Sequence, residues 1–559
     1  MIYILGLVAL GLAWLLPGHY RPWTSFQQEL LAATGAALVV LAAVARPGAR
    51  TVDVPPIALG LAIVATVPLV QWAMGQIAFF DDAVLPAMYL VGAGLVIVAA
   101  RSMTSSEEDQ FVTAVNVMFI AAALASSVVA LAQWLQVTDG LWVETAPPGA
   151  RVYANLTQAN HLASAVALGA IALAWCYETQ RIGAWSAICA WTIFALVLAL
   201  TGSRTGWLLV SILAVSVMWA RRRRLAVRTP VWAVVAASLS LVLAVLLMPS
   251  LNEWLLLSPS EAALSGRLQV GTRSQHWQTI AEAVALRPVF GYGWNQVSAA
   301  QQAAAAGHPA VGEWLVHSHN LVLDMLVYNG VVLGGLIVCG VAAWLVTRLK
   351  GCRDASGWSA ITGCVALLVH ALLEYPLHYL FFLLPMAILV GIVEARHESS
   401  TVLRVNRAWL VLPLLTLVAL GVRVAQEYLE VEDVWRRVQL HEAGFVTDGI
   451  EPRPPDVKWL EGPREIIRFQ LTEAREGMTP EELDWMLAVR KRYAQPGAFI
   501  RYAVAAGLNG RADDARQSLV LLCKIWGDGF CDRARKSWPD YQVRHPALKA
   551  IAFPVPAAR

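Results

Sequence analysis

The sequence predicts an all-α polytopic membrane protein with a soluble helical tail. Three observations predict it. Of 559 residues, 58% are hydrophobic and only 14% are charged, and the mean hydropathy is +0.56, a balance found in membrane chains rather than soluble ones. Apolar stretches approaching or exceeding the roughly 20 residues needed to cross a bilayer recur along the chain as far as Gln426. About half of all Asp, Glu, Lys and Arg then fall after Gln426. The chain therefore divides into a membrane region, 1–426, and a soluble domain, 427–559.

Composition excludes several classes. A net charge of +3 is too small to argue for nucleic acid. The seven cysteines form no CxxC or Cys/His metal spacing. Five lie in or beside apolar stretches, where a small buried thiol is the ordinary role. Residues 1–16 lack a basic region and a small-residue cleavage site, so they read as a retained helix rather than a signal peptide.

Hydropathy marks thirteen spans: 2–16, 29–45, 57–73, 83–100, 111–135, 162–176, 184–200, 206–220, 231–248, 321–346, 358–374, 377–394 and 408–426. Arginine orients them. The run Arg221-Arg222-Arg223-Arg224, with Arg228, reads as cytoplasmic. Alternation from there puts Arg46, Arg50, Arg101, Arg181, Arg348, Lys350, Arg353, Arg396, Arg404 and Arg407 on the same side, whereas the opposite short loops carry Arg21, Arg151 and Arg204. The amino terminus is expected inside and the tail outside.

Two outer segments are long. The first, about 136–161, ends in Arg151-Val-Tyr-Ala-Asn-Leu-Thr-Gln158-Ala-Asn160-His161. The second, about 249–320, contains an amphipathic helix over 274–286, with Trp277, Ile280, Ala281 and Val284 at helical spacing. Pro288 ends that helix and Gly291-Tyr-Gly-Trp-Asn295 forms a turn-rich link. Long loops with structure of their own are more often lids or binding loops than linkers. In the tail, Thr479-Pro-Glu-Glu482 is an N-cap signature, and Ala505–Ala515 resembles the turn of a tetratricopeptide hairpin without a full repeat period. Cys523 and Cys531 are close enough for a local disulfide if the tail is extracytoplasmic, with two buried thiols the alternative.

Polar residues converge on the outer face. His317-Ser318-His319-Asn320 opens a run to Val346 with Asp324 its only carboxylate. Arg151, Gln158, Asn160 and His161 precede the sixth span. Arg204 sits in Thr-Gly-Ser-Arg-Thr-Gly206, and Arg267, Arg273 and His276 lie in the long loop. His370, Glu374 and Tyr375 close the eleventh span, with His370 and Glu374 at helical spacing. Each has a plain reading as helix cap, snorkelling cation, belt aromatic or solvated charge. Together they describe cations and imidazoles at one membrane face, where intramembrane ionisable groups usually serve function. The absence of a carboxylate cluster argues against a divalent metal site, and arginine suits bidentate phosphate recognition.

Gly-Ser-Arg204-Thr-Gly, His317-Ser-His319-Asn320 before an apolar helix, and the long loop ahead of it resemble the O-antigen ligase/polymerase superfamily of bacterial inner membranes. Gln158-Ala-Asn160-His161, His370-x-x-x-Glu374-Tyr375-Pro376-Leu377 and the helical tail are most similar to its protein O-oligosaccharyltransferase branch. The resemblance implies a metal-independent glycosyltransferase of the GT-C type with no cofactor. It would move a preassembled glycan from undecaprenyl diphosphate to Ser or Thr of periplasmic proteins such as pilins, with the tail in the periplasm. By the same resemblance His319 is the essential histidine. The resemblance also implies a donor-side glutamine at Gln158, a functional tyrosine at Tyr375 and diphosphate-holding arginines at Arg204 and Arg151. From the outer-face cluster itself, Asn160, His161, Arg273 and His317 are expected to bind substrate, with Asp324, His370 and Glu374 in support. The alternatives are an O-antigen ligase acting on lipid A-core, a glycan polymerase, a structural scaffold and a transporter. The last would scatter ionisable residues through the membrane midplane rather than gather them at one face.

Overall fold

The computed structural model describes residues 1–46, 50–106, 108–138, 140–225, 228–258, 273–397, 403–445 and 452–554; Arg267 lies outside them. Each of the thirteen apolar stretches is helical. Nine helical spans among the described residues are long and apolar enough to cross a membrane, Pro56–Ala73 counted as one across its break, and Ile2–Ala13, Ala355–Ala371 and Leu380–Ala395 are shorter apolar helices. The Arg204–Arg222 helix carries arginine at both ends. Many apolar side chains, including Trp232, Leu239, Leu243 and Leu246 on the Val231–Trp254 helix, face outward. A surface this apolar needs lipid around it. The protein is a multi-pass membrane protein.

Four local departures from the sequence reading have physical causes. The span over 57–73 breaks into Pro56–Val64 and Thr66–Ala73, because Pro68 cannot donate the helical hydrogen bond to residue 64. The eleventh helix stops at Ala371, short of Glu374. The run from Leu321 to Val346 is interrupted at Gly330, whose φ of 74° is open to glycine and strained for other residues. Here the loop after Pro288 inserts: Val331 N donates to Pro288 O at 2.7 Å and Tyr292 N to Val327 O at 2.7 Å. A Cβ on Gly330 would lie 2.2 Å from Val289 O, and one on Gly291 2.3 Å from Val327 O. Finally, Thr51–Val54 pairs antiparallel with Leu403–Asn406, a short ribbon with no strand-length apolar pattern to announce it.

The chain forms two compact units. The first comprises Met1–Ala65, Met88–Gln269 and Val341–Val422. Its centre is the Ala159–Glu178 helix, buried along nearly its whole length among Glu108–Trp134, Ala184–Thr201, Arg204–Arg222 and Ala355–Ala371. Small residues permit this closeness: a Cβ on Gly169 would sit 2.4 Å from that of Ala123. Gly6 and Gly35 likewise let Ile2–Ala13 meet Phe26–Ala45.

The second unit comprises Thr66–Ala87, Val270–Gly340 and Arg423–Arg559. The helix expected to end near Gln426 runs on to Glu442. Four further helices, Glu461–Leu471, Pro480–Arg492, Pro496–Leu508 and Ala512–Arg544, pack in succession. The Thr479 capping box forms as expected, with Glu482 N donating to Thr479 Oγ1 and Thr479 N to Glu482 Oε2. Of the two readings for Cys523 and Cys531, the disulfide is the one present, across Cα atoms 4.7 Å apart. The amphipathic helix is Arg273–Leu286, but its buried stripe is His276, Thr279, Ile280, Ala283 and Val284. Ala281 is exposed. The face is rotated from the expected one, and it brings a histidine inward.

Candidate functional site

In the first unit the polar residues form one network around Asn160. The loop that delivers it is held from beneath by Gln133, 1% exposed. Its Oε1 accepts from Tyr153 N and Ala154 N, and its Nε2 donates to Ala154 O and Glu144 O. Ala154 and Thr157 adopt left-handed backbone, φ 53° and 58°, which costs non-glycine residues on the order of 1 kcal/mol or more and persists where surroundings impose it. Asn160 Oδ1 then accepts from Arg151 Nη2 at 3.2 Å and Ser203 Oγ at 2.7 Å, while its Nδ2 donates to Glu374 Oε1 at 2.9 Å. Arg151 Nε donates to Thr201 O at 2.7 Å, a carbonyl at a helix C-terminus where a cation is favoured. Ser203 also caps the next helix by accepting from Gly206 N at 3.0 Å. Arg204, exposed, occupies the first position of that helix.

His370 and Glu374 were expected to share a helix face. Instead Glu374 lies beyond the helix end, and each is held by a different residue of the Ala159–Glu178 helix. His370 Nδ1 is 2.6 Å from Ser164 Oγ, and Glu374 meets Asn160. His161 packs edge-on against Tyr379 at 5.0 Å, Phe382 at 5.5 Å and His370 at 5.9 Å. Tyr375, next to Glu374, has its ring 5.9 Å from that of Tyr379. Among the described residues nothing hydrogen-bonds the buried Gln158 Oε1 or His161 Nε2. An unsatisfied buried polar atom costs about 1–3 kcal/mol, so two within four positions mark a place where a polar ligand would restore a partner.

In the second unit the histidine loop is built by restraining its backbone. Ser318 N donates to Asp324 Oδ1 at 2.8 Å, and Trp277 Nε1 donates to Ser318 O at 3.1 Å. Asn320 Oδ1 accepts from Val322 N and Leu323 N, capping the helix that follows. Between these anchors His319 has φ 57°. The two histidines diverge: His317 Nδ1 lies 3.4 Å from Tyr328 Oη, whereas the His319 ring lies 6.3 Å from that of His276. His276 is 2% exposed and its Nε2 is 3.2 Å from Glu313 Oε1. Arg273 begins the helix that carries His276.

Arg151, Asn160, His161, His370 and Glu374 are thus drawn together in one unit, with Arg204 and Gln158 adjoining in sequence. His317, His319 and Asp324 are gathered in the other. Ser164 and Gln133 were not anticipated. Trp277 was expected only on the apolar face of its helix and Ser203 only within the Gly-Ser-Arg204-Thr-Gly turn, although a Ser immediately before an apolar helix is also a cap signal.

The O-Antigen ligase family model matches residues 187–339, and the model for the Virulence factor membrane-bound polymerase, C-terminal, matches residues 359–528. The chain is 26% identical to the General O-oligosaccharyltransferase of Acinetobacter baylyi (strain ATCC 33305 / BD413 / ADP1), over 94% of this chain and 92% of that protein. It is 24% identical to the ComP-specific O-oligosaccharyltransferase of the same organism, over 71% and 72%. Motifs, helical membrane architecture and these matches agree: the chain is a membrane O-oligosaccharyltransferase of the O-antigen ligase superfamily.

Proposed function

We propose that the protein transfers a preassembled glycan from undecaprenyl diphosphate to Ser or Thr hydroxyls of periplasmic proteins such as pilins. The acceptor hydroxyl oxygen attacks the anomeric carbon, the bond from that carbon to the phosphate oxygen breaks, and undecaprenyl diphosphate leaves with the electron pair. His319 takes the hydroxyl proton, as a weak nucleophile requires near neutral pH. Arg204 and Arg151 balance charge on the departing diphosphate, and Arg273 binds substrate. Gln158, Asn160, His161, His317 and Tyr375 bind donor or acceptor, and Asp324, His370 and Glu374 hold them in place.

The observation that carries this reading is the left-handed backbone of His319, enforced from both sides of Ser318. Left-handed non-glycine backbone held in place by its surroundings clusters at active sites and ligand clamps, which supports a functional role for this imidazole. A protein acceptor is supported by the two relatives, both O-oligosaccharyltransferases and one ComP-specific. The arginine distribution supports an inner-membrane topology with thirteen crossings, a cytoplasmic amino terminus and a periplasmic tail domain from about residue 427. The tail disulfide supports the same placement. Purified protein incubated with undecaprenyl-diphosphate-linked oligosaccharide and pilin should yield glycopilin by intact mass. Transfer to lipid A-core instead of pilin would make it an O-antigen ligase.

A further inference from the structure

We propose that the tail is part of the catalytic apparatus: through Gln301 and the Val297–Ala304 helix it holds the loop carrying His319 in its left-handed conformation. This rests on the reading of His319 as the base. A non-glycine residue stays left-handed only where its neighbours over-determine the backbone. After His319 the loop is anchored locally by Asn320, and at Ser318 by Asp324 and Trp277. Before it, the anchors come from elsewhere. Gln301 Nε2 donates to Glu313 O at 2.9 Å, and Gln301 Oε1 accepts from Leu315 N at 2.9 Å. One amide thus grips both sides of Trp314 in the manner of a sheet ladder. Gly312 N donates to Ile525 O, in the tail, at 2.9 Å.

The helix bearing Gln301 is itself fastened to the tail. Ser298 Oγ and Gln302 Nε2 both donate to Lys491 O at 2.8 Å. That carbonyl is in the last turn of the Pro480–Arg492 helix, where helices leave acceptors unsatisfied. Ser298, Gln301 and Gln302 are all buried, so each of these polar side chains depends on its protein partners. Trp314 packs against a cluster that includes Phe499, Leu521, Leu522 and Ile525. Ile525 stands between Cys523 and the bend at Gly527, whose φ is 72°, so the disulfide braces the stretch that receives Gly312. Tail, Gln301 helix and histidine loop form one continuous hydrogen-bonded path within a single unit.

Gln301 is accordingly a positioning residue, and its removal should lower turnover rather than substrate binding. The test uses full-length protein, undecaprenyl-diphosphate-linked oligosaccharide and pilin. In Gln301→Ala, kcat should fall roughly tenfold or more while acceptor KM and donor binding stay within about twofold. The Ser298→Ala/Gln302→Ala double variant, which keeps the Gln301 grip but cuts its tie to Lys491, should lose several-fold in kcat, and it carries the test if Gln301→Ala fails to insert. Unchanged kcat in both, or a loss confined to acceptor KM, overturns the proposal. His319→Ala is run alongside. If it is inactive while Gln301→Ala and the double variant are both fully active, this inference alone fails; if His319→Ala is active, the reading of the histidine fails first.

Discussion

The Asn160 network and the histidine loop hold polar groups in different ways. Around Asn160, side chains hold side chains: one amide links Arg151, Ser203 and Glu374. Around His319, side chains from other elements hold backbone, and the imidazole is aimed by a strained φ. The first arrangement suits a fixed charge that must bind. The second suits a group that must meet a reacting atom at a set angle, where small misplacements are costly. The difference predicts that damage to the network shows in binding and stability, and damage to the loop in turnover.

The largest expected effect tests the loop. His319→Ala should cut transfer by about 10²–10⁴-fold, the usual span for a general base, with donor binding retained and His317→Ala milder. Loss of donor binding in His319→Ala would instead make it a phosphate ligand and blur the distinction. Arg204→Ala should lower transfer by about 10²–10³-fold. Arg204→Lys should recover part, since it restores charge but not the planar fork. Full activity at normal protein level removes Arg204 from the site.

Smaller effects separate the regions further. Asn160→Ala strips partners from Arg151, Ser203 and the buried Glu374, a loss of about 1–3 kcal/mol. A lowered melting temperature and weakened donor binding are expected, with residual turnover at saturating donor; an unchanged melting temperature would contradict the hub role. Reducing Cys523–Cys531, which encloses a short loop, should destabilise the tail by about 2 kcal/mol, read as faster proteolysis there. Thr479→Ala removes a helix cap worth about 1 kcal/mol. It should lower tail stability slightly and leave turnover intact, so an activity loss would mean the tail's stability as a whole limits catalysis.

Much of the fold was legible because lipid imposes a one-dimensional rule. A spanning helix must be long, apolar and internally hydrogen-bonded, and such stretches are visible residue by residue. The short ribbon of Thr51–Val54 with Leu403–Asn406 escaped that rule, since its strands pair across 351 positions from Asp53 to Arg404. Candidate residues were legible by type: arginine, histidine and amide groups beside apolar runs are conspicuous. Their partners were not. Ser164 and Gln133 lie within apolar helices and look like ordinary small-polar interruptions until His370 or the Arg151–Gln158 loop is seen resting on them.

By itself the sequence determined the helical membrane architecture, the Thr479 cap and the identity of the polar groups, because each depends on neighbours a few positions away. Only the tertiary structure decided that Glu374 turns to Asn160 rather than to His370, that Gly330 interrupts its helix to admit the loop after Pro288, and that His319 faces His276 while His317 faces Tyr328. Those outcomes rest on contacts between segments far apart in the chain. Their geometry follows from packing and from satisfying backbone hydrogen bonds, and neither is written in local periodicity.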